Sequence, residues 1–241
     1  MLPKPFAALG ALIFSWLICG VMLLAAADGA PAAEEIHIVL VGDSTVMAKS
    51  GWGGAFEKLL VRGVRCTNTA VGGESSNSFR ESGKWKAALA EQPTHVLIQF
   101  GHNDMAGKLP GLATDPETTY RANLIRFVDE ARAAGAQPIL VTPIPIRIFV
   151  GNKLRGELEP YAAAVRKVAA EKGVPLADLY ARGVEDIEKL GPTGSAELGL
   201  KWPTGRPDPS HLGKPGAKLT ANELAAELRK STPELARFLR P

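Results

Sequence analysis

Ser44 lies in the turn Gly42-Asp43-Ser44-Thr45, directly after an almost continuously apolar run. A glycine two residues earlier lets the backbone turn sharply and leaves the following side chain exposed at the end of a strand. A serine hydroxyl is a weak nucleophile until a base takes its proton. On position alone Ser44 is equally suited to capping the next helix, so a base must be found elsewhere. The chain has 4 histidines. His37 lies inside the first apolar run and His95 opens another, settings typical of a packed, hydrogen-bonded ring. His102 and His211 remain. His211 closes the segment Asp208-Pro209-Ser210-His211, in which Pro209 stiffens the turn. A carboxylate at that spacing can accept the imidazole Nδ1 hydrogen, fix the tautomer and stabilise the imidazolium formed when Nε2 takes the serine proton. The bland alternative is a turn whose aspartate caps the next helix. A strand-end serine together with an Asp-x-x-His before the last helix favours Ser44 as nucleophile, His211 as base and Asp208 as its orienting carboxylate.

Acyl transfer also needs donors where a tetrahedral oxyanion forms. The backbone N–H of Ser44 is one candidate. The N–H of Gly72, in Ala70-Val71-Gly72-Gly73, is a second, and the side-chain amide of Asn103, in Phe100-Gly101-His102-Asn103-Asp104, is a third. Each alone is equally ordinary turn chemistry.

These residues need elements that bring them to one place. From Ile36 onward short β-rich runs alternate with helical patterns, the signature of βαβ units and a parallel sheet. Strands are expected at 36–41, 64–69, 95–99, 138–141 and 174–178. Helices are expected near 54–61, 116–134, 160–172, 179–190 and 215–229. In such a sheet a ligand sits beyond the C-terminal strand ends, where every motif above falls. Residues 105–115 and 191–209 lack regular pattern and are expected to form loops at the rim of a cleft.

The 241 residues, 46% hydrophobic, suffice for one domain with a sizeable core. The formal net charge of +3 is scattered, with no basic run interleaved with aromatics, so no nucleic-acid partner is indicated. Residues 1–32 differ in kind: Lys4 precedes an apolar stretch and then small residues offering A-x-A sites, which reads as a signal peptide, with an uncleaved anchor as the alternative. The domain, residues 33–241, is therefore expected to be secreted or periplasmic. Cys66 is the only cysteine of that domain and reads as a small core residue.

Gly42-Asp43-Ser44, then Gly72, then Gly101-x-Asn103-Asp104, then Asp208-x-x-His211 resemble the four blocks of the SGNH, or GDSL-type, hydrolases in their usual order. The resemblance implies a flavodoxin-like three-layer α/β/α sandwich on a five-stranded parallel sheet. It implies the same triad, an oxyanion hole of Ser44, Gly72 and Asn103, and no cofactor or metal. Finer features are similar to the rhamnogalacturonan acetylesterase-like branch: Gly51-Trp52-Gly53, Gly73-Glu74-Ser75-Ser76 leading to Gly83-Lys84-Trp85, and Thr142-Pro143 ahead of Arg147 and Phe149. That branch implies removal of acetyl groups from a pectic polysaccharide or oligosaccharide by a monomeric enzyme. Glu74 stands where the branch often has arginine. An acetylated sugar needs an open polar cleft with an aromatic platform, for which Trp52 and Trp202 are the candidates, and His102 is a further substrate-binding candidate. Trp85, in a helix-like run, reads as core. Three other readings remain: a GDSL-type esterase for other small acyl esters, a metal-dependent phosphoesterase using Asp43, Asp104, Asp208, His102 and His211, and a non-catalytic glycan-binding protein.

Overall fold

The computed structural model describes residues 35–107 and 111–241. The expected signal peptide lies outside the described residues. In chain order the elements are β1 (His37–Gly42), α1 (Gly53–Glu57), β2 (Arg65–Asn68), α2 (Ser76–Glu81), α3 (Lys84–Ala90), β3 (His95–Gln99), α4 (Thr119–Ala133) and β4 (Gln137–Val141). There follow β5 (Phe149–Val150), β6 (Lys153–Leu154), α5 (Glu159–Lys172), β7 (Leu176–Ala177), α6 (Leu179–Ala196), β8 (Gly199–Lys201), β9 (Pro207–Leu212), α7 (Lys214–Ser231) and α8 (Pro233–Ala236).

Five strands form one sheet in the order β2-β1-β3-β4-β7, and every pairing is parallel. The expected three-layer α/β/α sandwich with a flavodoxin-like strand order is the fold observed. After β1 the chain steps outward to β2, then crosses back to β3 on the other side of β1. Connections leaving β1 and β3 thus diverge, and a crevice opens at the C-terminal ends of these two strands.

The sheet is covered on both faces, which is why β1 and β3 are buried along their whole length. Side chains alternate between two cores. Val39, Val41, Val96, Ile98 and Leu140 pack with Phe79 of α2, Trp85 of α3, Phe127 of α4 and Val165 of α5. Ile38, Leu40, Leu97, Ile139 and Val141 pack with Phe56 of α1, Leu179 of α6, Leu224 of α7 and Leu235 of α8. Trp85 is core, as read, and its indole N–H donates to Glu130 at 2.7 Å. Cys66 is half-buried, and burial pushes its thiol up to about 12, leaving it unreactive at neutral pH.

The clearest departure is the stretch 191–209, expected as irregular loop. Gly191, at φ 66°, breaks α6, and Pro192 restarts it for one turn more. Beyond it β8 and β9 form an antiparallel hairpin with a register shift. The fifth sheet strand is shorter than expected, and the polar helix α2, capped by a reciprocal Ser75–Ser78 box, is additional.

Candidate active site

The Ser44 turn is fixed from below. A Cβ at Gly42 would lie 2.5 Å from both the Gln99 carbonyl oxygen and Val46 Cγ2, so only glycine lets β1 end this close to β3. Asp43 Oδ1 accepts from the Thr45 amide (2.9 Å) and hydroxyl (2.7 Å). Gln99 Nε2 donates to Thr45 Oγ1 at 2.6 Å, and the Trp52 indole donates to Gln99 Oε1 at 2.9 Å. Ser50 Oγ donates to the Ser44 carbonyl at 2.7 Å, closing the turn from the other side.

This relay corrects two sequence expectations. Trp52 has no exposed surface, because its N–H is needed at Gln99 and its ring packs edge-on to Phe56. It supports the turn and offers no platform to a sugar. His102 is 3% exposed, with Nδ1 3.8 Å from Asp43 Oδ2, so it lies beneath the turn and not in the cleft. Replacing Trp52 by phenylalanine leaves the buried Gln99 acceptor unsatisfied, an expected loss of about 1–3 kcal/mol of stability measurable by urea unfolding.

Above the turn, Ser44 Oγ lies 2.9 Å from His211 Nε2, and His211 Nδ1 lies 2.8 Å from Asp208 Oδ2. The structure thus brings Ser44 to a His211–Asp208 pair that stands more than 160 positions further along the chain. Asp208 is saturated with donors: Oδ1 accepts from the amides of Ser210 (2.8 Å) and His211 (2.9 Å), and Oδ2 also accepts from the Trp202 indole (2.8 Å). Burial alone pushes this carboxyl up, but the hydrogen bonds, that of the His211 ring foremost, outweigh it and hold the group well below the usual carboxylate range. Asp208 therefore stays ionised in mildly acidic solution and can steady an imidazolium.

Sequence reasoning assigned no role to the residue that carries this loop. Arg147 is buried, and one guanidinium nitrogen donates to the carbonyls of Asp208 (2.8 Å) and His211 (2.7 Å). Its own amide donates to the Pro209 carbonyl at 2.9 Å. Burial lowers the guanidinium to about 10 despite the pull of Asp208, so the charge persists. Its position in the branch-like Thr142 to Phe149 stretch was the only signal. Trp202, by contrast, is 43% exposed, with the Arg206 guanidinium 5.2 Å from its ring centre.

Among the described residues the amides of Ser44 and Gly72 donate to no protein group. A Cβ on Gly72 would lie 3.6 Å from Ser44 Cβ, so the two backbones are adjacent. Asn103 Nδ2 gives one hydrogen to the Glu74 carbonyl at 3.0 Å, which fixes the amide and leaves its second hydrogen for another acceptor. Next to it, buried Asp104 accepts from the amide (3.1 Å) and hydroxyl (2.6 Å) of Ser76 and from Thr114 Oγ1 (2.8 Å). Desolvation prevails over these bonds and raises its carboxyl to about 6. Asp104 ties the loop after β2 to the loop after β3. Glu74 faces Lys84 at 2.8 Å and also accepts from Ser78 Oγ, so its charge is met locally. With Asn103 as one oxyanion donor, Asn103→Ala is expected to lower turnover roughly 10²–10³-fold with little change in melting temperature, read from initial rates.

Of the carboxylates weighed as metal ligands, Asp104 and Asp208 are occupied by protein donors, and Asp43 is held at Oδ1 by Thr45. Among the described residues no three His, Cys, Asp or Glu side chains gather to hold an ion.

A doubly wound parallel sheet with a serine, a histidine and a carboxylate in hydrogen-bond series at its switch point defines a class, that of the carboxylic ester hydrolases. Residues 40–219 match the GDSL-like lipase/acylhydrolase family, and the chain belongs to it. It is 36% identical over 211 residues to the rhamnogalacturonan acetylesterase RhgT of Bacillus subtilis (strain 168), covering 80% of this chain and 89% of that one. It is 32% identical over 207 residues to the probable rhamnogalacturonan acetylesterase YesY of the same organism, covering 83% and 93%. The acetylxylan esterase Axe2 of Geobacillus stearothermophilus shares the fold, with a TM-score of 0.64 at 21% identity over 80% of this chain and 94% of that one. A putative GDSL-like lipase from Parabacteroides merdae ATCC 43184 does likewise, at 0.64 and 20% over 80% and 95%.

Proposed function

We propose that this protein is a secreted serine esterase that removes acetyl groups from carbohydrate, of the pectic, rhamnogalacturonan type, by way of an acyl-enzyme. The observation that carries the reading is the unbroken series Ser44 Oγ, His211 Nε2, His211 Nδ1, Asp208 Oδ2, flanked by two unclaimed backbone amides. Ser44 Oγ attacks the acetyl carbonyl as its proton passes to His211 Nε2. The oxyanion takes hydrogen bonds from the Ser44 and Gly72 amides and from Asn103 Nδ2. Collapse breaks the ester bond, and His211 returns the proton to the departing sugar oxygen. Water then attacks the acetyl-serine, gives its proton to His211, and acetate leaves while that proton restores the Ser44 hydroxyl.

The carbohydrate assignment is supported by the names of the two Bacillus relatives and by the exposed ring of Trp202 beside the Asp208 loop. The apolar run at residues 6–27 supports export. The test is acetate release from acetylated rhamnogalacturonan, acetylated xylan and acetylated monosaccharides, beside esters of longer acyl chains. The pectic substrate is expected to give the highest kcat/KM, and acetyl esters to surpass longer ones. Higher kcat/KM on long-chain esters overturns the assignment.

A further inference from the structure

The groove between α1 and α7 has no part in that chemistry. Its volume of about 620 Å³ falls within the roughly 300–1,000 Å³ of ligand-binding clefts. Its floor is small and apolar, with Ala55, Leu59, Ala217 and Ala221. Its rim carries Lys49, Lys58, Lys214 and Lys218 against one carboxylate, Glu57. All four lysines are exposed, and among the described residues no carboxylate pairs with any of them. Elsewhere Lys84, Lys153, Lys167, Lys172, Lys189 and Lys230 each face one.

Two of the four also stand where helix energetics disfavours them. Lys214 opens α7, at the end where the helix dipole is positive, and Lys218 follows one turn later, where like charges repel. Both placements cost stability, and both raise the positive potential over the groove. The groove also begins where the catalytic loops end. Ala48 and Lys49 lie on the segment that leaves Ser44, and Leu212 and Gly213 follow His211 directly. Ser50 joins the two, through its hydroxyl to the Ser44 carbonyl (2.7 Å) and through its carbonyl to the Leu212 amide (2.8 Å).

We propose that this groove binds the uronate-bearing stretch of an acidic polysaccharide next to the sugar being deacetylated, an inference that rests on the esterase reading above. Sugar C–H faces lie on the alanine floor, and the carboxylates meet the four ammonium groups at the rim.

The probe is an unacetylated galacturonate oligomer, titrated calorimetrically into the full chain. Binding is expected, weakening steeply as salt rises. The variant Lys49→Gln, Lys58→Gln, Lys214→Gln, Lys218→Gln is expected to bind at least ten-fold more weakly, whereas the same four positions changed to arginine retain binding. The ratio of kcat/KM on acetylated rhamnogalacturonan to that on 4-nitrophenyl acetate falls in parallel in the glutamine variant, through KM. Unchanged oligomer binding in that variant overturns the proposal. So does a parent protein that binds phosphatidylglycerol vesicles but not the oligomer. Because the oligomer carries no ester, its binding is independent of the triad. Absent hydrolysis of 4-nitrophenyl acetate sinks the esterase reading, and absent oligomer binding sinks this one alone.

Discussion

Ser44→Ala is expected to lower kcat about a million-fold while leaving the fold intact. Among the described residues the hydroxyl's one hydrogen-bond partner is the His211 ring, and the turn around it is held by Asp43, Thr45, Gln99 and Ser50, none of which the change touches. On the proposed mechanism, what disappears is the atom that forms the acyl-enzyme. Because nucleophile and base act as one unit, adding His211→Ala to it should cost almost nothing more. Steady-state rates on 4-nitrophenyl acetate, with melting temperature as the control for folding, measure both. A loss below about a hundred-fold would show that Ser44 is not the nucleophile.

Asp208→Asn is expected to cost about 10⁴ in kcat. All four hydrogen bonds to the carboxylate come from N–H donors, and an amide has one acceptor oxygen to offer. With its NH2 toward the His211 ring, it forces the tautomer that cannot take the serine proton and sets an N–H against the Trp202 indole. Flipped, it sets that NH2 against the backbone amides of Ser210 and His211. The variant should also respond differently to acid. A carboxyl whose folded-state pKa is depressed adds stability above its unfolded value, near 3.8, and loses it as pH falls. Melting of the parent should therefore drop on acidification below about pH 4 more steeply than melting of the asparagine variant.

Much of this architecture is legible in the sequence because it is local. The inner strands β1, β3 and β4 declare themselves as short apolar runs, since burial on both faces demands that, and a carboxylate three residues before a histidine can reach its ring within one short segment. Trp52 is harder. It stands at the N-cap of a five-residue helix, where no periodicity distinguishes an inward ring from an exposed one, and the partner that fixes it, Gln99, is the last residue of β3. Arg147 is invisible for the same reason: its two acceptors are backbone carbonyls more than sixty positions away. The β8–β9 hairpin hides because β8 has three residues, the pairing is shifted in register and β9 carries two prolines, so both read as loop. Glu74 reads from the sequence only as an anion where the branch often has arginine, because Lys84, which faces it, belongs to the next helix but one.

That hairpin has a consequence for how the protein fails. Asp208 and His211 both ride on β9, which lies outside the five-stranded sheet and is fastened by β8, by Arg147 and by the Ser50 carbonyl. Local opening of such a peripheral unit takes less free energy than unravelling a sheet buried on both faces. One opening event would part Ser44 from His211 while both cores stay folded. On gentle heating, esterase activity should therefore fade at a lower temperature than the helical circular-dichroism signal, and return on cooling.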